Sequence, residues 1–191
     1  MIKVIGGIYR GRNLAKIGDN QNLSLRPTSS RVRESIFNML VNGKKGNLVE
    51  GARVLDLFAG TGALGIEALS RRAAHVTFVE IESASCNVIR RNIELVGASE
   101  RTALLKRDAC RLGKNKCEPF DLVLLDPPYG LGLGVRSLKS VLANGWLAVE
   151  GVAVIEEIAR PDLGKEMEEI ETKKYGDTTV VLYQRKLEAS P

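Results

Sequence analysis

The stretch VLDLFAGTGALGIEAL, from Val54 to Leu69, decides the fold class of this chain. A short run of aliphatic and β-branched residues leads into a glycine-rich turn, and an apolar run with helical spacing follows directly. Glycine allows the backbone to turn tightly and to approach a ligand closely at the carboxyl end of a strand. Gly60, Gly62 and Gly65 spell GxGxxG, which by itself is weak evidence for a dinucleotide site. The stretch predicts a strand, a ligand-binding loop and a helix of an α/β domain.

The rest of the chain alternates between short apolar runs and longer runs with helical spacing. The predicted strands are Val54–Phe58, Val76–Glu80, Ala103–Lys106, Leu122–Leu125 and Val152–Glu156, and the predicted helices are Ala63–Arg71, Ser83–Val96 and Leu133–Leu142. Two more strands, Met167–Lys174 and Thr179–Arg185, are joined by a connection too short for a parallel crossover. The pattern predicts an α/β fold with a doubly wound, mostly parallel sheet that ends in an antiparallel hairpin.

The first quarter of the chain is basic. Net charge is 28 − 23 = +5, but residues 1–50 hold nine Lys/Arg and three Asp/Glu, which gives +6. Residues 2–14, IKVIGGIYRGRNL, predict a β-hairpin, and residues 15–28 predict a loop. A helix is predicted from Ser30 to about Asn42, with Ser29 or Ser30 as its N-cap. We therefore divide the chain into a basic hairpin arm with its loop, 1–28, and a larger domain, 29–191.

This charge asymmetry favours an anionic partner, most often a nucleic acid. On charge alone, a solvated basic face explains it equally well. Arg31 and Arg33 could simply face solvent from their helix. The candidate phosphate-binding residues are Lys3, Arg10, Arg12, Arg31 and Arg33.

The histidine and cysteine content restricts the chemistry. His75 is the only histidine, and the three cysteines show no CxxC spacing, so we expect neither a metal site nor a disulfide framework. No run of residues is apolar enough to span a membrane, and no apolar leader is present. We therefore expect a cytoplasmic protein without membrane contact. No apolar stripe marks a dimer face, which leads us to expect a monomer.

Acidic residues stand within, at the end of or just after three predicted strands. Asp56 precedes Gly60 by four residues, where a carboxylate suits a ligand with a cationic amino group, although it could also cap the helix. Glu80 could accept both hydroxyls of a ribose and would repel a 2′-phosphate. Asp108 could accept from an adenine amino group or could cap a helix.

The fourth strand runs directly into Asp126-Pro127-Pro128-Tyr129. The two prolines fix the backbone and remove two N–H donors, so that the carbonyl of Pro127 and the side chain of Asp126 can accept from an incoming amine. Tyr129 can stack on a planar base. An exocyclic amine of a nucleobase is a poor nucleophile because its lone pair is delocalised into the ring. Two acceptors can hold such an amine so that its lone pair faces an electrophile.

The glycine loop, Glu80 and DPPY together resemble class I S-adenosylmethionine-dependent methyltransferases that act on amino groups. More narrowly, the chain resembles the small-subunit ribosomal RNA guanine-N2 methyltransferase D family from about Ile2 to Arg185. The motifs that carry this resemblance are VIGGIYRGRNL, LRPTSSRVRESIFNML, LDLFAGTGALGIEALSRRA, DPPYG and YGDTTVVLYQR. One departure is Arg72, where relatives often carry glycine at the helix end.

The resemblance implies a Rossmann-like methyltransferase fold with S-adenosyl-L-methionine as cofactor, and 16S ribosomal RNA or the small ribosomal subunit as partner. It implies that Asp126, Pro127 and Tyr129 hold the target guanine. The implied cofactor-binding residues are Asp56, Phe58, Gly60 and Gly62 near the methionine part, Glu80 at the ribose, Asp108 at the adenine, and Arg26 and Thr28 in a segment that closes over the cofactor.

Three other functions compete with this one. An amino methyltransferase acting on adenine N6 or on a protein glutamine would share DPPY, but such enzymes usually carry a recognition domain for which 191 residues leave little room. An NAD-dependent oxidoreductase would use GxGxxG but would leave DPPY and the basic segment unexplained. A non-catalytic RNA-binding module would not need the glycine loop.

Overall fold

The computed structural model describes residues 2–18, 29–128, 130–158 and 163–187. Its helices are α1 (Ser30–Asn42), α2 (Ala63–Ser70), α3 (Ser83–Val96) and α4 (Leu133–Ala143). Its strands are β1 (Ile2–Lys3), β2 (Asn13–Leu14), β3 (Arg53–Leu57), β4 (His75–Glu80), β5 (Thr102–Lys106), β6 (Phe120–Leu125), β7 (Leu147–Glu157), β8 (Met167–Tyr175) and β9 (Thr178–Arg185).

Seven of these strands form one sheet in the order β5-β4-β3-β6-β7-β9-β8. The strands from β3 to β7 are parallel, whereas β9 runs antiparallel to both β7 and β8. The predicted α/β class and the terminal antiparallel hairpin are therefore confirmed. The strand order reverses between β3 and β6. Ligands bind at such a switch point, outside the carboxyl ends of the strands.

Side chains alternate between the two faces of the sheet and form two apolar clusters. One cluster combines Val54, Leu124 and Val154 with helices α1, α2 and α3. The other combines Leu55 and Ile155 with helix α4. Parallel strands that are buried on both faces favour apolar residues at every position. Accordingly, β6 is apolar from Leu122 to Leu125, and the buried part of β3 is apolar except for Asp56. This alternation also fixes the face on which each strand-end residue lies.

Two predicted helices, Ser30–Asn42 and Ser83–Val96, have the predicted bounds. Ser29 is the N-cap of α1, where its Oγ accepts from the backbone N–H of Val32 at 3.2 Å. Strand β7 begins at Leu147, five residues before the predicted start. Its pairing with β6 shifts register there, and Glu150 adopts a φ of +62°, so an irregular segment interrupts the apolar run.

The N-terminal hairpin is present and packs against the main domain. Strands β1 and β2 pair antiparallel, with Ile2 opposite Leu14. Val4, Tyr9 and Leu14 are buried in the same cluster as α1 and α2. Residues 2–14 therefore lie on the core rather than projecting from it. The proposed division of the chain at residue 28 stays a prediction, because residues 19–28 lie outside the described ranges.

Within those ranges, no helix is long and apolar enough to cross a membrane.

Candidate active site

The loop after β3 is built from unusual backbone conformations. Phe58 has a φ of +57°, and Gly60 and Gly62 have φ values of +55° and +75°. The backbone N–H of Gly62 donates to the carbonyl of Ala59 at 2.6 Å, which closes the turn. A non-glycine residue in the left-handed region costs about 1–3 kcal/mol and persists where surrounding structure enforces it, often at functional sites. Phe58 is such a residue, directly before the loop.

The three glycines of the motif are needed for different reasons. A Cβ at Gly65 would lie 2.3 Å from the ring of Phe78, so this position allows α2 to pack closely on β4. A Cβ at Gly62 would lie 3.2 Å from the same ring. A Cβ at Gly60 would meet only the carbonyl oxygen of Phe58, at 3.9 Å. Gly60 therefore leaves space in which a ligand can approach the backbone.

Asp56 lies on the face of β3 that contacts α2. Its Oδ2 accepts the backbone N–H of Gly65 at 2.9 Å, so the residue does cap the helix. Its side chain is 1% exposed, and Oδ1 has no hydrogen-bond partner among the described residues. Burial raises the pKa of Asp56 to about 8; the Gly65 N–H opposes this rise, and the charges of Asp126 and Glu80 add to it. A cationic group beside Asp56 would relieve this unfavourable charge.

Glu80 ends β4 and organises the loop. Its Oε2 accepts the N–H of Gly60 at 2.8 Å, and its Oε1 accepts the N–H groups of Ile81 and Glu82 at 2.7 and 2.9 Å. An ionised carboxylate offers about four acceptor positions, so three are already used. One position, on Oε2, is left for a ribose hydroxyl. The sequence suggested that Glu80 accepts from both ribose hydroxyls. This arrangement permits two such contacts only if a ribose hydroxyl replaces one of the backbone N–H donors.

Asp108 follows β5 and caps a short 3-10 turn. Its Oδ1 accepts the backbone N–H of Cys110 at 2.8 Å. The helix-cap alternative is therefore seen in the structure. The second oxygen, Oδ2, lies 4.0 Å from Nε of the exposed Arg111 side chain. The adenine contact of Asp108 stays a prediction.

Asp126 and Pro127 follow β6 at the same edge of the sheet. Because Leu57 pairs with Leu125, the next residues of β3 and β6 lie side by side. Alternation after Leu124 directs Asp126 to the α2 side, and its charge acts on Asp56 there. Asp126 is partly buried and Pro127 is buried. The predicted site residues Arg26, Thr28 and Tyr129 lie outside the described residues. The structure thus brings together Asp56, Gly60, Gly62, Glu80, Asp126 and Pro127.

The basic candidates divide into two groups. Lys3, Arg10, Arg12 and Arg31 are exposed. Arg33 is 3% exposed, its guanidinium donates to the carbonyl of Lys3 at 2.6 Å, and its Nε lies 3.9 Å from Glu67. The predicted RNA contact of Arg33 is therefore wrong, because its guanidinium is buried against Lys3 and Glu67; its Nε has no hydrogen-bond partner among the described residues. The alternative interpretation, in which Arg33 faces solvent from its helix, is also wrong for this residue.

Two buried polar residues were missed by the sequence reasoning. The Asn92 side chain donates to the carbonyls of Thr61 and Ala15, at 2.9 and 3.1 Å, and accepts the N–H of Ala15 at 2.7 Å. Glu67 accepts the N–H groups of Ile5 and Gly6, both at 2.8 Å. Each is a large polar residue on a mostly apolar helix face, and that position was the available signal.

Comparison with known proteins gives a consistent result. The family model described as Conserved hypothetical protein 95 matches residues 2–184. Ribosomal RNA small subunit methyltransferase D of Escherichia coli K12 is 35% identical over 187 residues, which cover 96% of this chain and 90% of that protein. The protein of the same name from Haemophilus influenzae is 34% identical over 158 residues, covering 81% of this chain and 78% of that protein.

Solved structures with a similar fold are consistent with these sequence relatives. The Escherichia coli protein yhhF superimposes with a TM-score of 0.82 at 34% identity, over 98% of this chain and 99% of that chain. An RNA methyltransferase from Salinibacter ruber in complex with S-adenosyl-L-homocysteine gives a TM-score of 0.64 at 20% identity, over 86% and 96% of the two chains, a likeness of fold alone. The resemblance carried by the motifs is thus confirmed, and the chain belongs to the ribosomal RNA small subunit methyltransferase D family.

Proposed function

We propose that this protein transfers a methyl group from S-adenosyl-L-methionine to the exocyclic N2 amine of a guanine in small-subunit ribosomal RNA. The observation that carries the proposal is the position of Asp126 and Pro127 beside the glycine loop, on the edge that Asp56 and Glu80 also occupy. The names of the relatives support ribosomal RNA as the substrate. The N2 target rests on the family resemblance and on the acceptor chemistry of the Asp126-Pro127 turn.

The described residues fit the cofactor. S-adenosylmethionine carries a sulfonium and an ammonium, and supplies a methyl group that is already activated for transfer. Three carboxylates at one edge of the sheet favour that positive charge. Asp56 and Gly60 would line the methionine part, and the remaining acceptor position of Glu80 would receive a ribose hydroxyl. Asp108 would receive the adenine amine.

The protein's chemical task is then orientation. The Asp126 carboxylate and the Pro127 carbonyl accept the two amine hydrogens, which turns the nitrogen lone pair toward the methyl group. As the N2–CH₃ bond forms and the S–CH₃ bond breaks, the amine releases one proton to Asp126 or to water. A paired guanine must leave its stack before it can reach this edge.

RNA binding would use the exposed basic residues. Tyr9 donates its N–H to Ser70 at the end of α2, and Arg12 donates to the carbonyl of Leu95 at the end of α3. Both helices begin at the carboxyl edge, so their ends lie at the opposite edge. With 14 residues, α3 is roughly 20 Å long. Phosphates contacted by Arg10 or Arg12 would therefore lie about that far from the reacting base, which requires an extended, structured RNA.

The proposal is tested with tritiated S-adenosylmethionine and three acceptors: small subunits that lack the modification, naked small-subunit RNA, and duplex DNA. Product nucleosides are identified by mass spectrometry. N2-methylguanosine from either RNA acceptor is the expected product. N6-methyladenine, or no label despite cofactor binding, would contradict the guanine-N2 assignment.

Asp126→Asn should lower turnover at least 100-fold while the dissociation constant for S-adenosylmethionine changes little. Asp121→Asn is the matched control, because Asp121 is exposed at the opposite end of the same strand. Equal activity of the two variants would contradict the role of Asp126.

A further inference from the structure

Strand β7 places a second carboxylate beside Asp126. The pairs Leu124–Val154 and Leu125–Ile155 define the parallel register of β6 and β7. The next pair in this register is Asp126 and Glu156. Neighbouring strands lie roughly 4.8 Å apart, so the two acidic residues are adjacent across the strand ends. The sequence reasoning assigned no role to Glu156.

Glu156 and Asp126 lie on the same face of the sheet. Val152 and Val154 of β7 belong to the apolar cluster on the α1 and α2 side, whereas Ala153 and Ile155 belong to the cluster on the α4 side. Alternation along the strand therefore directs Glu156 to the α1 and α2 side, where Asp56 and Asp126 also lie.

The next residue, Glu157, behaves differently. It lies on the opposite face, where its carboxylate accepts the backbone N–H of Gly134 in the first turn of α4. Glu157 thus has a structural role as a helix cap. Glu156 is 3% exposed and directly follows the apolar run GVAVI of β7. Burial of a carboxylate is costly, and Oε2 of Glu156 accepts no hydrogen bond from the described residues, so the place of this oxygen next to the reacting edge requires a reason.

The chemistry of guanine supplies that reason. A flipped base is read by hydrogen bonds to its Watson–Crick edge. On guanine this edge presents two neighbouring donors, N1–H and the N2 amine, whereas adenine presents its N6 amine beside an N1 acceptor. Ionised carboxylates are acceptors only. Two adjacent carboxylates therefore match guanine, and one of them would face a lone pair if adenine were bound.

We propose that Glu156 is the specificity-determining residue of this site and accepts the N1–H of the target guanine while Asp126 accepts from its N2 amine. This inference rests on the proposed function. It assigns discrimination between guanine and other amine-bearing bases to one residue of β7. The transfer step itself is unchanged, because Glu156 neither gains nor loses a proton during it.

The test uses 2-aminopurine, which keeps the N2 amine of guanine but has an unprotonated N1. Once the methylated nucleotide is mapped with the wild-type protein, small-subunit RNA is prepared with guanine or 2-aminopurine at that position. Wild-type protein should prefer guanine by roughly 10- to 100-fold in kcat/KM, the range expected for a good base-reading pair. Glu156→Gln can donate from its amide to N1, so this preference should vanish or reverse.

Two further measurements separate recognition from a structural role. Glu157→Gln is the matched control and should keep the wild-type ratio of guanine to 2-aminopurine. Glu156→Gln should keep the wild-type dissociation constant for S-adenosylmethionine. If Glu156→Gln loses the same fraction of kcat/KM on guanine and on 2-aminopurine, the ratio is unchanged. That result would overturn the role of Glu156 and leave the proposed function intact. If the wild-type protein forms no N2-methylguanosine, the proposed function fails first, and the inference fails with it.

Discussion

The carboxylate of Glu67 in α2 accepts the backbone N–H of Gly6 in the N-terminal hairpin at 2.8 Å. The same group accepts the N–H of Ile5 at 2.8 Å and pairs with Nε of Arg71 at 3.0 Å. Glu67 is fully buried. One side chain thus satisfies two backbone donors of the hairpin and joins it to the core.

Glu67→Gln should destabilise the fold by about 2–4 kcal/mol, because an amide cannot accept from all of these donors and leaves Arg33 and Arg71 without their anion. The free energy of unfolding in urea measures this loss. Glu94→Gln, on the exposed side of α3, is the control and should change it by less than about 0.5 kcal/mol. A similar small change in both variants would show that the hairpin is held by its apolar residues alone.

Arg31→Ala and Arg33→Ala should separate RNA binding from stability. Arg31 is exposed, so its loss should weaken RNA affinity and lower the slope of log K against log salt by about 1, without changing the melting temperature. Arg33 is buried against Glu67, so its loss should lower stability by about 3–5 kcal/mol. Filter binding at several salt concentrations and urea unfolding measure the two effects. The reverse pattern would contradict the burial of Arg33.

The sequence predicted the glycine loop and the Asp126-Pro127 turn because each is a local motif whose chemistry depends on neighbouring residues. It predicted α1 because capping and helical periodicity are local too. The burial of Arg33 could not be predicted in this way. Its partner Glu67 is 34 positions away in sequence, and only the packing of α1 on α2 brings the two charges together.

The adjacency of Asp126 and Glu156 is of the same kind. It depends on which strand lies beside β6 and in which register, and the register shift after Phe120 moves β7 relative to a simple pairing. The three backbone donors to Glu80 also had no sequence signal, because they come from a loop conformation. Local signals therefore identify the parts of the site, whereas its arrangement follows from tertiary contacts.

Asn92→Ala should weaken cofactor binding although Asn92 is on α3. Its amide joins the carbonyl of Thr61, in the glycine loop, to both backbone groups of Ala15. Removing it leaves these partly buried backbone groups without the Asn92 amide and frees the loop. We expect a loss of about 1–3 kcal/mol in stability and a higher dissociation constant for S-adenosylmethionine by calorimetry. Asn87→Ala, on the exposed side of the same helix, should change neither value; equal effects would show that the helix and not the loop contact matters.

Asp56 should give the unliganded protein a pH-dependent stability. Its pKa is about 8 in the folded state, raised mainly by burial, against 3.8 as its ordinary value. Between these values the folded protein keeps a proton that the unfolded chain has released. The free energy of unfolding should therefore fall as pH rises from about 4 to 8, by at most about 1.4 kcal/mol per pH unit from this group. Urea unfolding at pH 5, 6, 7 and 8 measures the slope. Asp56→Asn keeps an acceptor for Gly65 and should flatten it, and identical slopes would contradict the raised pKa.

Arg72→Gly should stabilise the protein. Arg72 follows α2 with a φ of +70°, and its carbonyl accepts the N–H of Gly51 at 2.9 Å, so the left-handed conformation is held in place. Glycine removes the strain of a side chain there, about 1–2 kcal/mol, at a smaller cost in chain entropy. The side chain itself makes an exposed pair with Glu50 at 3.5 Å, which contributes little. We expect a net gain of about 0.5–1 kcal/mol in the free energy of unfolding in urea, with unchanged methyl transfer.

Arg71→Gly is the opposing control, because Arg71 has a φ of −95° and binds Glu67, and it should destabilise the fold. A loss of stability in Arg72→Gly would show that the side chain contributes more than its backbone strain costs.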